Sequence, residues 1–280
     1  MTGLIDMHMH SAASDGKLTP SRLAEECFRL GVRYAALTDH DTIEGQEEFL
    51  KRAKELGISA VSGIEFNVEH RCELHILGYG FDVKDSSLNE TLVFLKNERY
   101  MRAQRIVKKL VENGYLLSFD RIKQIAGEGV VGRPHIAQAL VEKGYCRDMQ
   151  QAFSEFLLEG GAGYVKRERL TAKDAIKLIN DAGGKAVCAH PGLMKGEDYD
   201  ALFTRLKKEG LWGIEVFYSV HTDEQCAFFL DTAHKYGLFA TCGTDYHANK
   251  YNEKLPGQEK RGIEEAALTF KKIVGKGCNL

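Results

Sequence analysis

Short apolar runs alternate with amphipathic segments at both ends of the chain, and few folds admit that pattern. Residues 4–7 form a short apolar run, and PSRLAEECFRL carries an apolar stripe that opens after Thr19 and closes at Gly31. YAALTDH is a second strand, TIEGQEEFLKRAKELG a second helix, ISAVSGIEF a third strand and ELHILGYGF a fourth. Late in the chain AKDAIKLINDAGG, YDALFTRLKKEG and DEQCAFFLDTAHKYG read as helices between the strands KAVCAHP, WGIEVFYS and FATCGTDYH. Such alternation favours parallel strands covered by helices. Seven units predict an α/β fold closed into a seven-stranded (β/α)7 barrel.

Between residues 82 and 170 the pattern breaks. LNETLVFLKNERYMRAQRIVKKLVENG and HIAQALVEKG read as helices, separated by the glycine-rich breaks GEGVVG and EGGAG, with no convincing strand. The expected organisation is barrel over 1–81, a small inserted helical domain over 82–170, and barrel again over 171–280. Because loops at a barrel's mouth choose its substrate, the insert is expected to cap the site.

Composition narrows the partners. A net charge of -2 over 280 residues does not suit a surface that grips long duplex nucleic acid. With no run of eighteen apolar residues and no basic, apolar leader, the expectation is a cytoplasmic protein without membrane contact. No protein partner is indicated. Seven cysteines, odd in number and never spaced as CxxC, argue against a disulfide framework and a thiolate zinc cluster. Cys188 and Cys242 lie on strands and are expected to face the core.

Polar residues gather where the strands are expected to end. His8 and His10 are two apart, so an extended backbone points both the same way. Asp15 follows on the loop, with Ser11 and Ser14 as hydroxyls for a neighbouring ligand or a phosphate. TDHD gives Asp39, His40 and Asp41; GIE gives Glu65; the fourth strand offers His75; the far half offers His190, Asp245 and His247. Taken singly, His75 or Asp15 reads as an ordinary satisfied polar residue. Nine such side chains at one rim would repel and lose solvation unless cations offset the cost. Imidazole mixed with carboxylate suits two or three divalent ions: manganese first, with zinc or iron as alternatives. That chemistry serves phosphoester hydrolysis by metal-bound hydroxide, and no side-chain nucleophile is required.

HMHSAASDG, TDHDTIEG, GIEF, ELHILGY, AHP and GTDYH, in this order, resemble the motifs of the PHP (polymerase and histidinol phosphatase) family. The resemblance implies a distorted barrel with a trinuclear metal centre. It implies His8, His10 and Asp245 as ligands of a first ion and Glu65 as a bridge to a second. His75 and His190 would then hold the second ion, and Asp15, His40 and His247 the third. Asp39 stands behind them or caps a turn.

The stretches VVGRPHIAQAL and YVKRERL resemble the branch holding nucleoside 3',5'-bisphosphate phosphatases and a 5'-3' exoribonuclease of short RNA. The implied substrate is a small nucleotide or a short 5'-phosphorylated RNA. Arg133, before a helix start, is the candidate for the 5'-phosphate. His135 either helps it or caps the helix, and Lys166 and Arg167 either complete the anion pocket or form a solvated face. His221 resembles a histidine that protonates the leaving oxygen, with a structural role as the alternative. Tyr79, Phe81, Tyr164, Phe217 and Tyr218 are candidates for base stacking, although strand aromatics are ordinarily core. His70 and His234 are left as surface or helix residues. Histidinol-phosphate phosphatase and a non-catalytic metal-binding module are the alternative functions.

Overall fold

The structure is a computed structural model that describes residues 3–127, 131–248 and 254–275. Part of the GEGVVG break and Cys278 lie outside the described residues. The chain divides into two compact units, one of 1–89 with 169–280 and one of 90–168.

In chain order the first unit contains β1 (Leu4–Asp6), α1 (Pro20–Leu30), β2 (Val32–Ala36), α2 (Gln46–Glu55), β3 (Ser59–Val61), β4 (Gly63–Asn67) and β5 (His75–Tyr79). From Ser86 the long helix α3 (Ser86–Glu112) runs into the second unit, which continues with α4 (Phe119–Ala126), α5 (Arg133–Glu142) and α6 (Met149–Ala152), the last followed by a π-helical turn at Phe153–Leu157. The first unit resumes with α7 (Ala172–Asp181), β6 (Lys185–Cys188), α8 (Tyr199–Lys208), β7 (Gly213–Tyr218), α9 (Asp223–Tyr236), β8 (Phe239–Gly243) and α10 (Ile263–Val274).

Local chemistry sets the helix ends. Thr19 accepts the amide of Arg22 while Pro20 opens α1, and Thr171 does the same for the amide of Asp174 at α7. At α9, Thr222 and Gln225 cap one another's backbone amides.

A closed barrel does not form. The strands make two open sheets: β1-β2-β3, all parallel, and β4-β5-β6-β7-β8, in which β5 runs antiparallel to both β4 and β6. What reads in sequence as one strand, ISAVSGIEF, is two strands in different sheets. The break falls at Gly63, where a Cβ would lie 2.3 Å from the carbonyl oxygen of Leu37, and at Ser62, whose hydroxyl leaves the strand direction to donate to Phe81 O. After β4 the chain folds back as a hairpin, because its partner β5 follows within a few residues and needs no crossover helix.

Isolated bridges pair Met9 with Tyr246 and His40 with Glu65. They fall among the histidine motifs, where the backbone turns away from regular pairing to present side chains. The apolar faces of α1 and α2 cover the three-stranded sheet through Leu23, Ala24, Cys27, Phe49 and Ala53, packed with Met9, Val32, Ala35 and Leu37. The helical unit has its own core of Ile106, Leu110, Ile122, Ile136, Leu140, Phe156 and Leu157. At roughly 1.5–3 kcal/mol for each large side chain, that core is substantial.

One close approach ties the end of β8 to the first histidine motif. A Cβ on Gly243, the last residue of β8, would meet His8 Cβ at 2.3 Å and Glu215 Oε1 at 2.7 Å. Gly243→Ala should cost about 1–3 kcal/mol by overpacking and should also loosen His8. Urea denaturation of the variant beside the wild type checks the first effect, and divalent-ion titration the second.

Candidate metal centre

The ends of β1, β2, β6 and β8, the middle of β4 and the start of β5 bring the histidine and carboxylate motifs to one rim. His75 is the first residue of β5, not the last. Because β5 runs backwards, its beginning lies beside the ends of its neighbours.

Glu65, on β4 and fully buried, is the hub. Its Oε1 lies 2.8 Å from His75 Nδ1 and 3.1 Å from His190 Nε2. Its Oε2 lies 3.2 Å from both His8 Nε2 and His10 Nε2 and 3.0 Å from His40 Nδ1. Around this hub the donors fall into three groups: His8, His10, Glu65 and Asp245; His40, Glu65 and His75; and His10, Asp15, His40 and His247. His190 joins through Glu65 and stacks 5.6 Å from the ring of His8. All nine sequence candidates therefore lie together. His10 stands between two of the groups, and His40 between two as well.

The imidazoles and carboxylates shift one another strongly. Burial pulls His10 down, yet Asp245 and Glu65 beside it outweigh that and push it up to about 10. His8 rises well above its ordinary value, against burial, because Glu215, Glu65 and Asp245 surround it. Burial dominates at His40, which falls to about 4. Asp15 and Asp245 are held far below the usual carboxylate range despite burial, Asp15 by His247, His40 and His10 and Asp245 by His8 and His10.

His8 Nε2, both ring nitrogens of His10, His40 Nδ1 and Glu65 Oε2 are buried and have no well-formed hydrogen bond. Such orphaned donor atoms, packed within ligand distance of one another, fit divalent ions. Since His8 and His10 hold protons at neutral pH before an ion enters, uptake should release protons and weaken as pH falls. Calorimetry in two buffers of different ionisation enthalpy measures that release.

Two of the candidate ligands have strained backbones: His190 has φ 24 and Asp245 φ 56. A left-handed conformation costs a non-glycine residue on the order of 1–3 kcal/mol and persists only where the surroundings enforce it. The Asp245 amide donates to His8 O at 2.8 Å, and Tyr218 donates its hydroxyl to Asp245 Oδ2 at 3.1 Å.

Behind the rim, Asp39 holds the loop that carries Asp15. It accepts the amide of Ser11 at 2.7 Å, the hydroxyl of Ser11 at 2.7 Å and the hydroxyl of Ser14 at 2.6 Å. The serines read as hydroxyls for a neighbouring ligand or a phosphate are engaged with Asp39, and Ser11 is fully buried. Asp39→Asn should cost about 1–3 kcal/mol by leaving a buried donor unmatched. A urea melt reads that loss, and an ion titration should show weaker uptake by the group holding Asp15.

His221 is held by backbone groups at both ring nitrogens. It is buried, its Nδ1 donates to Val216 O at 2.9 Å, and its Nε2 accepts the Gly192 amide at 3.0 Å. Burial holds its pKa below the ordinary value, which keeps it neutral.

Within the helical unit, His135 Nδ1 accepts the Gly132 amide at 3.1 Å and so caps α5, and the Arg133 guanidinium lies 5.7 Å from the centre of the Phe153 ring. Lys166 is exposed, and Arg167 and Tyr164 are half-buried. Tyr79, Phe81 and Phe217 are core residues; Tyr218 faces the centre, 5.3 Å from the His190 ring. His70 pairs with Glu197 at 2.9 Å. Cys188 and Cys242 are buried, and burial drives both thiols up, away from reactivity.

Sequence reasoning alone misses Asp6 and Glu215. Asp6 binds the hydroxyl and amide of Thr244 and the amides of His8 and Gly257, and burial raises its pKa to about 6. Glu215, in the middle of GIEVFY, lies 3.0 Å from His8 Nδ1. A lone carboxylate inside an otherwise apolar strand is the available signal for both.

Comparison with known proteins agrees with this geometry. Residues 6–187 match the family model described as PHP domain. The chain is 34% identical over 263 residues to a 3',5'-nucleoside bisphosphate phosphatase of Chromobacterium violaceum, covering 92% of this chain and 90% of that protein. It is 35% identical over 250 residues to a 5'-3' exoribonuclease of Haemophilus influenzae, covering 88% and 91%. Among solved structures, an amidohydrolase from Chromobacterium violaceum with bound sulfate and no metal superposes with a TM-score of 0.78 at 32% identity, covering 94% of this chain and 96% of that one. With the family model matched over more than half its length, the chain belongs to the PHP domain family and has a metal-dependent phosphoesterase fold with candidate catalytic metal clusters.

Proposed function

We propose that the protein hydrolyses the 3'-phosphate of nucleoside 3',5'-bisphosphates, such as adenosine 3',5'-bisphosphate, to give 5'-AMP and phosphate. We extend this to the 3'-linked phosphodiester at the 5'-phosphorylated end of short oligoribonucleotides. A 3'-phosphate and a 3'-linked nucleotide present the same phosphorus, so one site serves both. The observation that carries the reading is the convergence of nine His, Asp and Glu side chains on one rim. It occurs in a chain similar over most of its length to a bisphosphate phosphatase and to an exoribonuclease.

His8, His10, Asp245 and Glu65 would hold one ion, Glu65, His75 and His190 a second, and Asp15, His40 and His247 a third. When bound, divalent ions, manganese first among them, acidify water and set positive charge against the phosphoryl oxygens. The protein's own residues do the rest. Glu65 keeps its two oxygens apart, one for each side of the centre, and Tyr218 fixes the orientation of Asp245. We assign His221 its structural alternative, since both of its ring nitrogens contact backbone.

For the 5'-phosphate our candidate is Arg133, whose planar fork matches phosphate oxygens; Lys166 and Arg167 are secondary candidates. The test is product chromatography after incubation of manganese-loaded protein with adenosine 3',5'-bisphosphate and, separately, with 3'-AMP. The bisphosphate should yield 5'-AMP, and 3'-AMP should turn over poorly. Arg133→Ala should raise KM for the bisphosphate by about 10- to 100-fold, the equivalent of one charged hydrogen-bonded contact, and leave 3'-AMP turnover nearly unchanged. Bisphosphate left intact by metal-loaded protein would end this substrate assignment and make histidinol phosphate the next compound to try.

A further inference from the structure

Glu215 is fully buried in the middle of β7 and belongs to none of the three donor groups. Its contacts are divided between two other residues. The carboxylate lies 3.0 and 3.2 Å from His8 Nδ1, and its Oε2 also accepts the backbone amide of His190 at 2.8 Å. His8 and His190 are ligand candidates for different ions. His190 is also the residue whose backbone sits at φ 24, and the turn after it is held by His221 through the Gly192 amide.

We infer that Glu215 is a positioning residue that prepares two metal ligands at once. A carboxylate only accepts, so it places the proton of neutral His8 on Nδ1 and leaves Nε2 as the ligating atom. Nε2 is the nitrogen that faces Glu65 and Asp245, at 3.2 and 3.4 Å, and it has no well-formed hydrogen bond. The same carboxylate holds the His190 amide and thereby the strained backbone that presents the His190 ring to Glu65.

Glutamine has one accepting oxygen, so it cannot keep both the 3.0 Å contact of Oε1 to His8 Nδ1 and the 2.8 Å contact of Oε2 to the His190 amide. If its amide nitrogen takes the place of Oε1, an N–H points at His8 Nδ1, which favours Nδ1 as acceptor and moves the proton to Nε2, where it blocks ligation. If its amide nitrogen faces His190, two N–H groups oppose each other and the strained turn loses its anchor. Aspartate is one methylene too short to span both contacts. The inference depends on the metal reading of the centre and on no choice of substrate.

The experiment is a long-range 1H–15N correlation spectrum of the imidazoles in the zinc-loaded full chain, wild type and Glu215→Gln, with zinc affinity measured beside it. In the wild type, His8 should carry its proton on Nδ1 and its metal on Nε2. The variant should lose that signature and bind zinc about 10- to 100-fold more weakly, as outer partners of metal-bound histidines do. Retention of both the signature and the affinity in the variant would overturn the inference. If the variant does not fold, the wild-type spectrum still decides, since His8 bound through Nδ1 overturns the inference on its own. A wild-type chain that takes up no zinc overturns it together with the metal reading, whereas uptake through Nδ1 overturns the Glu215 role alone.

Discussion

Glu65→Gln should reduce phosphoester hydrolysis on the order of 10³-fold and leave the folded protein with fewer bound ions. Glu65 is within 3.2 Å of five imidazoles, from His8, His10, His40, His75 and His190, and no other carboxylate reaches both the His75 side and the His8 side among the described residues. Ions at such a centre stabilise transition-state charge by several kcal/mol, and each 1.36 kcal/mol is a factor of ten. Glutamine keeps the shape but halves the accepting oxygens and removes the charge. Steady-state rates with manganese, taken with the ion content of the same sample, measure both effects. Near-wild-type turnover with an unchanged ion count would mean that Glu65 does not bridge.

Removal of the ions should be as severe and reversible. Treatment with a chelator followed by buffer exchange should abolish hydrolysis, and returning manganese should restore it. The folded chain alone assembles the donor set, so an ion at a thousandfold excess over its dissociation constant adds about 4 kcal/mol per site. For a chain of this size one occupied site should raise the melting temperature by roughly 8–15 °C. Thermal scans of stripped and reloaded protein read this directly; coincident melting curves would exclude tight binding at the buried groups.

Much of this centre is legible in the sequence because motif residues that end parallel strands must share a rim. HMH, TDHD, AHP and GTDYH place six of the nine candidates in that way, with Glu65 of GIE on β4 and Asp15 on the loop after HMH. His75 belongs to the rim for a different geometric reason, since β5 is antiparallel and His75 begins it. Apolar periodicity carries no strand direction, and that is why the hairpin β4–β5 and the division into two open sheets are not readable from it. The split inside ISAVSGIEF has a local mark in Ser-Gly, but what makes it a break is the carbonyl of Leu37, which lies far along the chain.

Supporting residues are hidden for a related reason. Asp6 and Glu215 sit inside apolar runs, where a single acid is easily passed over, and their partners are backbone amides and imidazoles on other strands. Ser11, Ser14 and His221 have the chemistry of substrate contacts in sequence. Only the fold shows their polar atoms already engaged with Asp39, Val216 and Gly192.

The most direct measurement of the central claim is an isothermal titration of the chelator-stripped protein with manganese at neutral pH. Two or three ions bound per chain, with proton release on uptake, is the result expected from donors grouped around Glu65. A protein that remains folded and binds no manganese, or a single ion without proton release, would contradict it.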